Sequence, residues 1–511
     1  MKKIQFPSFH IFRAENHPGV SLIYAAFFAF IAVCGFIVTS QVVHGIGFPL
    51  DDAWIHQTYA RNLALVGEWS FVPGHPSAGS TAPLWSILIS IGYLFKLAPF
   101  LWTFFLGAVS LAVLAVTGEK WFRSLNIRFK GLIPWAGIFL AGEWHLIWSA
   151  ASGMETTLFA LLILVIFYLL NTNKKEWIVG CLIGLSIWVR PDGITLLGPA
   201  LFQYIMCGSS WKEKYRKSRN LILPFLIPLS AYLLFNQVIS KTWLPNTFYA
   251  KQAEYAVYQQ IPLLERMFSL ASLPLVGAGI LLLPGFAFFI WRSFKNRSWD
   301  RAAVVIWWFG YNFLYALRLP VTYQHGRYII PAMPVFFIAG IVGLAEGYES
   351  LNYNISNGLK TGKRALRWLR LMRFGWMAAV AALWLGMLGI GAFTYAQDVA
   401  IIDTEMVAAS QWIAVNTPPG VTIGAHDIGA LGYFGNRNIL DLAGLVSPDV
   451  IPFIRDENAL GNYLTENRAD YLLTFPGWYP QLVKGRRILF QSSQEYSISA
   501  GGEKMTVYPW P

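Results

Sequence analysis

Two neighbouring carboxylates, Asp51 and Asp52, stand just past the end of an uncharged apolar run at residues 20–43. A run of that length crosses a bilayer, which takes about 20 apolar residues. The acids therefore sit at a membrane surface, where paired charges are costly unless something uses them. A carboxylate at such a boundary, with an acceptor hydroxyl in reach, has the form of a general base. The pair could equally hold a divalent ion, so the metal requirement stays open. One acid also fits as the N-cap of a helix starting near Ala53, but a cap accounts for one acid and not for two. That helix carries His56, Tyr59 and Arg61, and leads to an irregular Pro/Gly/Ser-rich stretch, 73–85, too polar for lipid contact. Such backbone belongs in a protein-walled cavity.

Other polar groups recur at the ends of apolar runs. Ser152-Gly153-Met154-Glu155-Thr156 places Glu155 at a boundary with no basic residue beside it in sequence. Arg190-Pro191-Asp192-Gly193 offers Arg190 as a ligand group, or a local pair that closes a turn. The stretch from Leu244 to Lys251 adds Asn246 and Lys251, and 318–330 adds Arg318, His325 and Arg327. These cations suit a phosphate, held by charge-assisted hydrogen bonds, or lipid headgroups. Later, His426-Asp427 follows a strand-like run. The two would point to opposite faces if both lay on the strand, and a substrate-contacting loop or a polar turn is open.

The elements that must position these groups are membrane helices. The chain has 511 residues, 55% hydrophobic and 13% charged, with a mean hydropathy of +0.47. That is a polytopic membrane protein. A net charge of +12 does not signal nucleic acid, because the bases gather in short loops at 2–13, 120–130, 174–175, 212–219, 292–301 and 360–373. These loops are assigned to the cytoplasm, which places the N-terminus inside and the acid pair outside. Eleven crossings fit: 20–43, 83–117, 131–150, 157–170, 178–190, 194–208, 221–240, 269–291, 302–320, 331–347 and 374–396. Residues 83–117 are read as one pass plus an interface helix around 83–97. The first run is too long for a signal-peptide core, so no cleaved leader is expected. The three cysteines lie in apolar runs and imply no disulfide framework.

The fold expected is thus an all-α polytopic membrane unit, 1–396, with a first outer loop at 44–82, followed by a small extracytoplasmic α/β domain, 397–511. In that tail, 421–424 and 471–474 read as buried strands and 404–415 as a helix.

Taken in order, Asp51-Asp52-Ala53-Trp54-Ile55, Ser80-Thr81-Ala82-Pro83-Leu84-Trp85, the Glu155 and Arg190 motifs, Leu244-Pro245-Asn246-Thr247-Phe248-Tyr249-Ala250-Lys251, Gly326-Arg327-Tyr328 and Asp441-Leu442-Ala443-Gly444-Leu445 span nearly the whole chain. In series they resemble the GT-C superfamily of membrane glycosyltransferases, and within it the branch of mycobacterial terminal arabinofuranosyltransferases. The resemblance implies transfer of a sugar from a polyprenyl-phosphate donor to a glycan, lipid or protein acceptor at the outer face of the plasma membrane, with inversion. It implies Asp51 as the base, with Asp52 as the alternative. Arg327, His325, Lys251 and Arg318 would hold the donor phosphate, and Arg61, His56, Glu155, Asn246 and Arg190 would contact substrate. One departure stands out: Ala78-Gly79-Ser80-Thr81 replaces the Glu-Gly-Tyr-Thr expected in the arabinosyl branch, which points to a different sugar or acceptor. The competing readings are a ligase or polymerase of lipid-linked glycans, a flippase, for which paired internal repeats are expected and none is seen, and a membrane scaffold.

Overall fold

The computed structural model describes residues 18–125, 133–357 and 362–511. The basic loop 2–13, and parts of those at 120–130 and 360–373, lie outside the described residues.

Among the described residues six helices are long and apolar enough to cross a membrane: Leu22–Val43, Pro99–Ser124, Trp211–Ser240, Ala278–Lys295, Tyr323–Ile355 and Arg364–Asn416. Helices that are shorter, less apolar or broken occupy the other five expected positions, with 194–208 formed by Pro191–Leu196 and Leu197–Cys207. Thr156–Asn171, Glu176–Val189 and Trp299–Arg318 are continuous. The segment expected at 131–150 is two short helices, Trp135–Ala141 and Trp144–Ala151, broken at Gly142. Glu143 caps the second, its carboxylate accepting from the Leu146 amide at 3.1 Å. The stretch expected at 269–291 also breaks, where Gly277 takes φ +90. Helices interrupted this way are tolerated at membrane depth because neighbouring helices bury the freed backbone.

Residues 83–117 divide into a short helix and the start of a long one. A short helix, Pro83–Leu94, ends in a left-handed residue at Lys96 (φ +55), and Pro99 opens the crossing helix. The short helix packs on the helix Asp52–Leu65, which begins at the acid pair.

The helix Gly362–Ile402 runs through residue 396 without interruption and continues as a π-turn, Asp403–Val407, and the helix Ala408–Asn416. Beyond it lies a five-stranded sheet in the spatial order Asn438–Asp441, Thr422–Ala425, Tyr471–Thr474, Thr506–Pro509 and Phe490–Gln491. The first three strands are parallel and the last two join antiparallel. The fold class expected from sequence, a polytopic helical unit with a small α/β domain, is the one present.

The sheet domain is seated on the helices Asp52–Leu65 and Pro83–Leu94 by named contacts. Arg61 donates to the Tyr433 and Gly432 carbonyls at 2.8 and 3.2 Å and lies over the Tyr433 ring. Tyr93 donates to the Tyr433 hydroxyl at 3.0 Å. These contacts turn one end of the sheet toward Asp51 and Asp52.

Candidate active site

The adjacent acids have different surroundings. Asp51 is 8% exposed, and its two oxygens accept from the Gly429 and Ala430 amides at 2.7 and 2.8 Å. It thereby satisfies the orphan donors at the start of a short helical segment of the sheet domain. Burial, and then the Asp427 carboxylate, hold the Asp51 carboxyl above the usual range, while the two amides pull the other way. A side chain at residue 429 has no room, since a Cβ there would lie 2.0 Å from the Asp51 carbonyl oxygen.

Asp52 begins its helix with its side chain 28% exposed, and its Oδ2 sits 2.6 Å from Arg327 Nη1. Burial opposes its charge, but Arg327 and Lys251 more than offset that and hold the carboxyl well below the usual range. It stands ionised at any physiological pH.

Two cavities meet at Asp52. The first, about 530 Å3, is walled mainly by membrane helices, through Ile187, Leu229, Leu233, Leu314 and Leu319. Its polar end carries His56, Glu155, Arg190 and Asp192. The second, about 690 Å3, lies between the helix Asn246–Glu254 and the sheet domain, and exposes Asp51, Glu254, Tyr255, His426, Asp427, Trp478 and Tyr479. Asp52, Ile55, Lys251, Arg327 and Leu445 line both. Helix periodicity explains how one helix serves two spaces: Thr247, Phe248 and Lys251 face the first, while Lys251 and Glu254 face the second.

Lys251 and Arg327 therefore stand at the seam. Arg327 is 5% exposed, and its Nε has no hydrogen-bond partner among the described residues. A buried guanidinium N–H left unpaired is costly, and it fits an anionic oxygen that enters from either cavity. The backbone leading to Arg327 is strained: Gln324, His325 and Gly326 all have left-handed φ, +52, +57 and +70. Such φ costs roughly 1–2 kcal/mol at each non-glycine residue. His325 Nε2 lies 2.8 Å from Asp398 Oδ2, which also accepts from Trp148 Nε1 at 2.8 Å. His325 is thus absorbed in pinning the turn and lines neither cavity.

The polar end of the first cavity is a buried network. Glu155 Oε2 lies 3.4 Å from His56 Nε2 and its Oε1 lies 3.5 Å from Arg190 Nη1. Arg190 also contacts Asp192 at 3.3 Å, so the local pair of the sequence reading exists and extends to Glu155. Tyr311 and Tyr315 donate to Asp192 at 2.6 and 2.7 Å. The basic partners that Glu155 lacks in sequence are supplied across the fold.

Other expected ligands lie elsewhere. Arg61 is spent on the sheet domain, and Asn246 lies at the domain contact, its Nδ2 3.4 Å from the Leu445 carbonyl oxygen. Arg318 is at the rim of the first cavity, 3.3 Å from Gln252 Oε1. His426 and Asp427 lie past the end of their strand rather than on it, and both line the second cavity. Glu254, Trp478 and Tyr479 were not singled out from sequence. Glu254 had a signal, one turn after Lys251 on the same helix; the two aromatics had none. Among the described residues no group of three or more His, Cys, Asp or Glu is arranged to hold a metal.

Residues 395–508 match a family model described as a domain of unknown function, DUF8728. No curated protein matches the sequence at a significant level. Among solved structures the chain is similar to ArnT from Cupriavidus metallidurans bound to undecaprenyl phosphate, at 14% identity and TM-score 0.58, covering 96% of this chain and 98% of that one. It is similar to the oligosaccharyltransferase AglB from Archaeoglobus fulgidus in complex with an inhibitory peptide and a dolichol-phosphate, at 12% identity and TM-score 0.57, covering 90% and 69%. The arabinofuranosyltransferase AftD from Mycobacteria aligns at 14% identity and TM-score 0.48, covering 96% and 40%. Identities this low speak to architecture alone: the chain shares its fold with ArnT and with AglB.

Proposed function

We propose that this chain transfers a sugar from a polyprenyl-phosphate carrier to an acceptor hydroxyl at the outer membrane surface. The observation that carries the reading is the seam, where Lys251 and Arg327 stand beside Asp52 between an apolar-walled cavity and a polar one. A lipid carrier fits the first cavity, with its phosphate drawn to the two cations. The acceptor enters through the second. ArnT is bound to undecaprenyl phosphate and AglB is in complex with a dolichol-phosphate, which agrees with a lipid-linked donor here. The basic loops then face the cytoplasm and the sheet domain lies outside.

Asp52 is the base of this proposal. It alone of the two acids lines both cavities, whereas the Asp51 oxygens are engaged by backbone amides. The acceptor oxygen attacks the anomeric carbon as the bond to the phosphate oxygen breaks, and the acceptor proton passes to Asp52. The leaving phosphate keeps the electron pair, and its charge is met by Arg327 and Lys251. Because phosphate and Asp52 compete for the same guanidinium, an arriving donor loosens the ion pair and raises the basicity of Asp52. Attack from the side opposite the phosphate inverts the anomeric centre. The polar end formed by His56, Glu155 and Arg190 is placed to contact the donor sugar.

The test is transfer in detergent from a panel of polyprenyl-phosphate sugars, comparing wild type with Asp52→Asn. Product from one donor that disappears in the variant supports the reading. A whole glycan moved in place of one sugar would reassign the chain to the ligases. Carrier translocation in vesicles with no sugar transferred would reassign it to the flippases.

A further inference from the structure

The second cavity has a feature that the reaction just proposed leaves unused. Its sheet-domain wall consists of the segments that leave the carboxyl ends of three parallel strands. His426, Asp427 and Ile428 follow Thr422–Ala425, Ala443 and Leu445 follow Asn438–Asp441, and Trp478 and Tyr479 follow Tyr471–Thr474. The chain goes from the central strand Thr422–Ala425 to one neighbour, then crosses to the other, so the order reverses between Thr422–Ala425 and Tyr471–Thr474. In open α/β sheets the crevice at this reversal, outside the carboxyl ends of the strands, is where ligands bind. Here the crevice is roofed by the helix that carries Lys251 and Glu254.

We infer that this crevice binds the acceptor, that the acceptor is a saccharide without anionic groups, and that the matched domain of unknown function exists to recognise it. The inference rests on the glycosyltransferase reading and adds the substrate class.

The side chains at the crevice argue for that class. Trp478 is 47% exposed although it lines the cavity. Its ring is fixed from behind: the His426 ring meets it edge-on at 4.8 Å and Phe475 packs at 5.1 Å. His426 is itself held by Tyr479, whose hydroxyl is 2.8 Å from Nδ1, and by Glu254 Oε1, 3.4 Å from Nε2. A flat, rigid ring with one wet face suits the apolar C–H face of a sugar ring.

Carboxylates accept hydrogen bonds and cannot donate them, so Asp427, Glu254 and Glu457 around that ring match the hydroxyl donors of a saccharide. Of the cations that line this cavity, Lys251 and Arg327 are assigned to the donor phosphate, which leaves Arg455 against Asp427, Glu254 and Glu457, a balance that disfavours a phosphorylated or carboxylated acceptor. The amides that would otherwise attract an anion to this end of the sheet, those of Gly429 and Ala430, are already taken by Asp51. A peptide acceptor is disfavoured because the crevice lies at the strand ends, away from the unpaired edges of Asn438–Asp441 and Phe490–Gln491 to which an extended peptide would add.

The experiment uses the full-length protein in detergent with the carrier sugar it turns over. Three acceptor sets are offered: neutral oligosaccharides, the same oligosaccharides bearing a uronic acid or phosphate, and hydroxyl-bearing peptides. Loss of sugar from the carrier is read separately from product. Transfer to the neutral set, with Trp478→Ala raising the acceptor KM about tenfold, the donor KM unchanged and Trp478→Phe restoring most of the loss, supports the inference. Transfer to the anionic set or to peptides overturns it. So does a Trp478→Ala variant with unaltered acceptor KM, or one in which donor and acceptor KM rise together. Carrier sugar lost to water in every set overturns the acceptor class but leaves the transferase reading standing. No loss from the carrier in any set overturns both.

Discussion

The two cavities that meet at Asp52 were built by different parts of the chain and ask for different ligands. The first is enclosed by membrane helices and is apolar except at one end, where His56, Glu155 and Arg190 pair with one another. The second is closed by a sheet domain against the helix Asn246–Glu254 and is lined by acids, aromatic rings and the cations Lys251, Arg327 and Arg455. A lipid-borne group and a hydroxylated one can therefore reach one point from opposite sides. The charged residues shared between the cavities, Asp52, Lys251 and Arg327, are those able to accept a proton and receive a phosphate. The same contrast divides the acid pair. Asp51 secures one body to the other, and Asp52 faces the space between them.

Substitutions can break or sharpen this contrast, and the largest effect is expected at Asp52. Asp52→Asn removes the proposed base and should lower kcat on the order of 10²–10⁴-fold, with a donor KM that falls because Arg327 loses its competing ion pair. Arg327→Ala comes next, with a loss of about 10²–10³-fold in kcat, on the scale of removing one donor to a developing anion. In Arg327→Lys, part of that activity should return, because charge is kept while Nε is lost. Smaller effects belong to the contact between the bodies. Gly429→Ala drives a methyl into the Asp51 backbone, and overpacking of this kind costs about 1–3 kcal/mol. Thermal unfolding and protease cleavage within 395–511 would both report it. Asp51→Asn should fall in the same range or below it, leaving one amide poorly satisfied.

The smallest effect is a pH slope. Burial opposes the charge of His426, but Glu254 raises its pKa above the usual histidine value; His426 in turn lowers that of Glu254 against the same burial. A raised histidine stabilises the fold fully below its unfolded pKa, about 6.5, and loses that contribution as pH climbs through the raised value. A lowered glutamate contributes above its unfolded pKa, about 4.3, and loses it as pH falls through the lowered value. The pair therefore contributes most between these two limits, about 1 kcal/mol for so partly exposed a contact. The Tm difference between wild type and Glu254→Gln should be greatest near pH 5.5 and shrink above pH 7. Nearby Asp427, raised to about 6 by burial and in part by Glu254, does not cancel: the variant relieves that repulsion as pH rises, which adds to the shrinkage of the difference.

Much of this layout was legible in the sequence. The acid pair, Lys251, Arg327, Glu155 and Arg190 all line a cavity, because a charge at the end of an apolar run has few other uses. Other features needed three dimensions. His325, two residues before Arg327, is carried to the opposite side by a left-handed turn that no residue-type rule foretells for Gln-His-Gly. Arg61 looked free on its helix, yet its partners are carbonyls more than 370 positions away. The partners of Glu155 come from two other helices, and a local reading finds none. Trp478 was indistinguishable from the chain's other tryptophans until the strand order placed it at a crevice. Breaks in the membrane helices were missed where a single Gly142 or Gly277 interrupts an otherwise continuous apolar pattern.

The most direct test of the division between the two acids is single-turnover sugar transfer from a polyprenyl-phosphate donor by Asp52→Asn and Asp51→Asn side by side. Each protein would first be checked for folding by its Tm. The account predicts that Asp52→Asn loses about three orders of magnitude in the transfer rate, while Asp51→Asn stays within tenfold of wild type and shows a lowered Tm. Transfer abolished in Asp51→Asn and retained in Asp52→Asn would contradict it and return the base to Asp51.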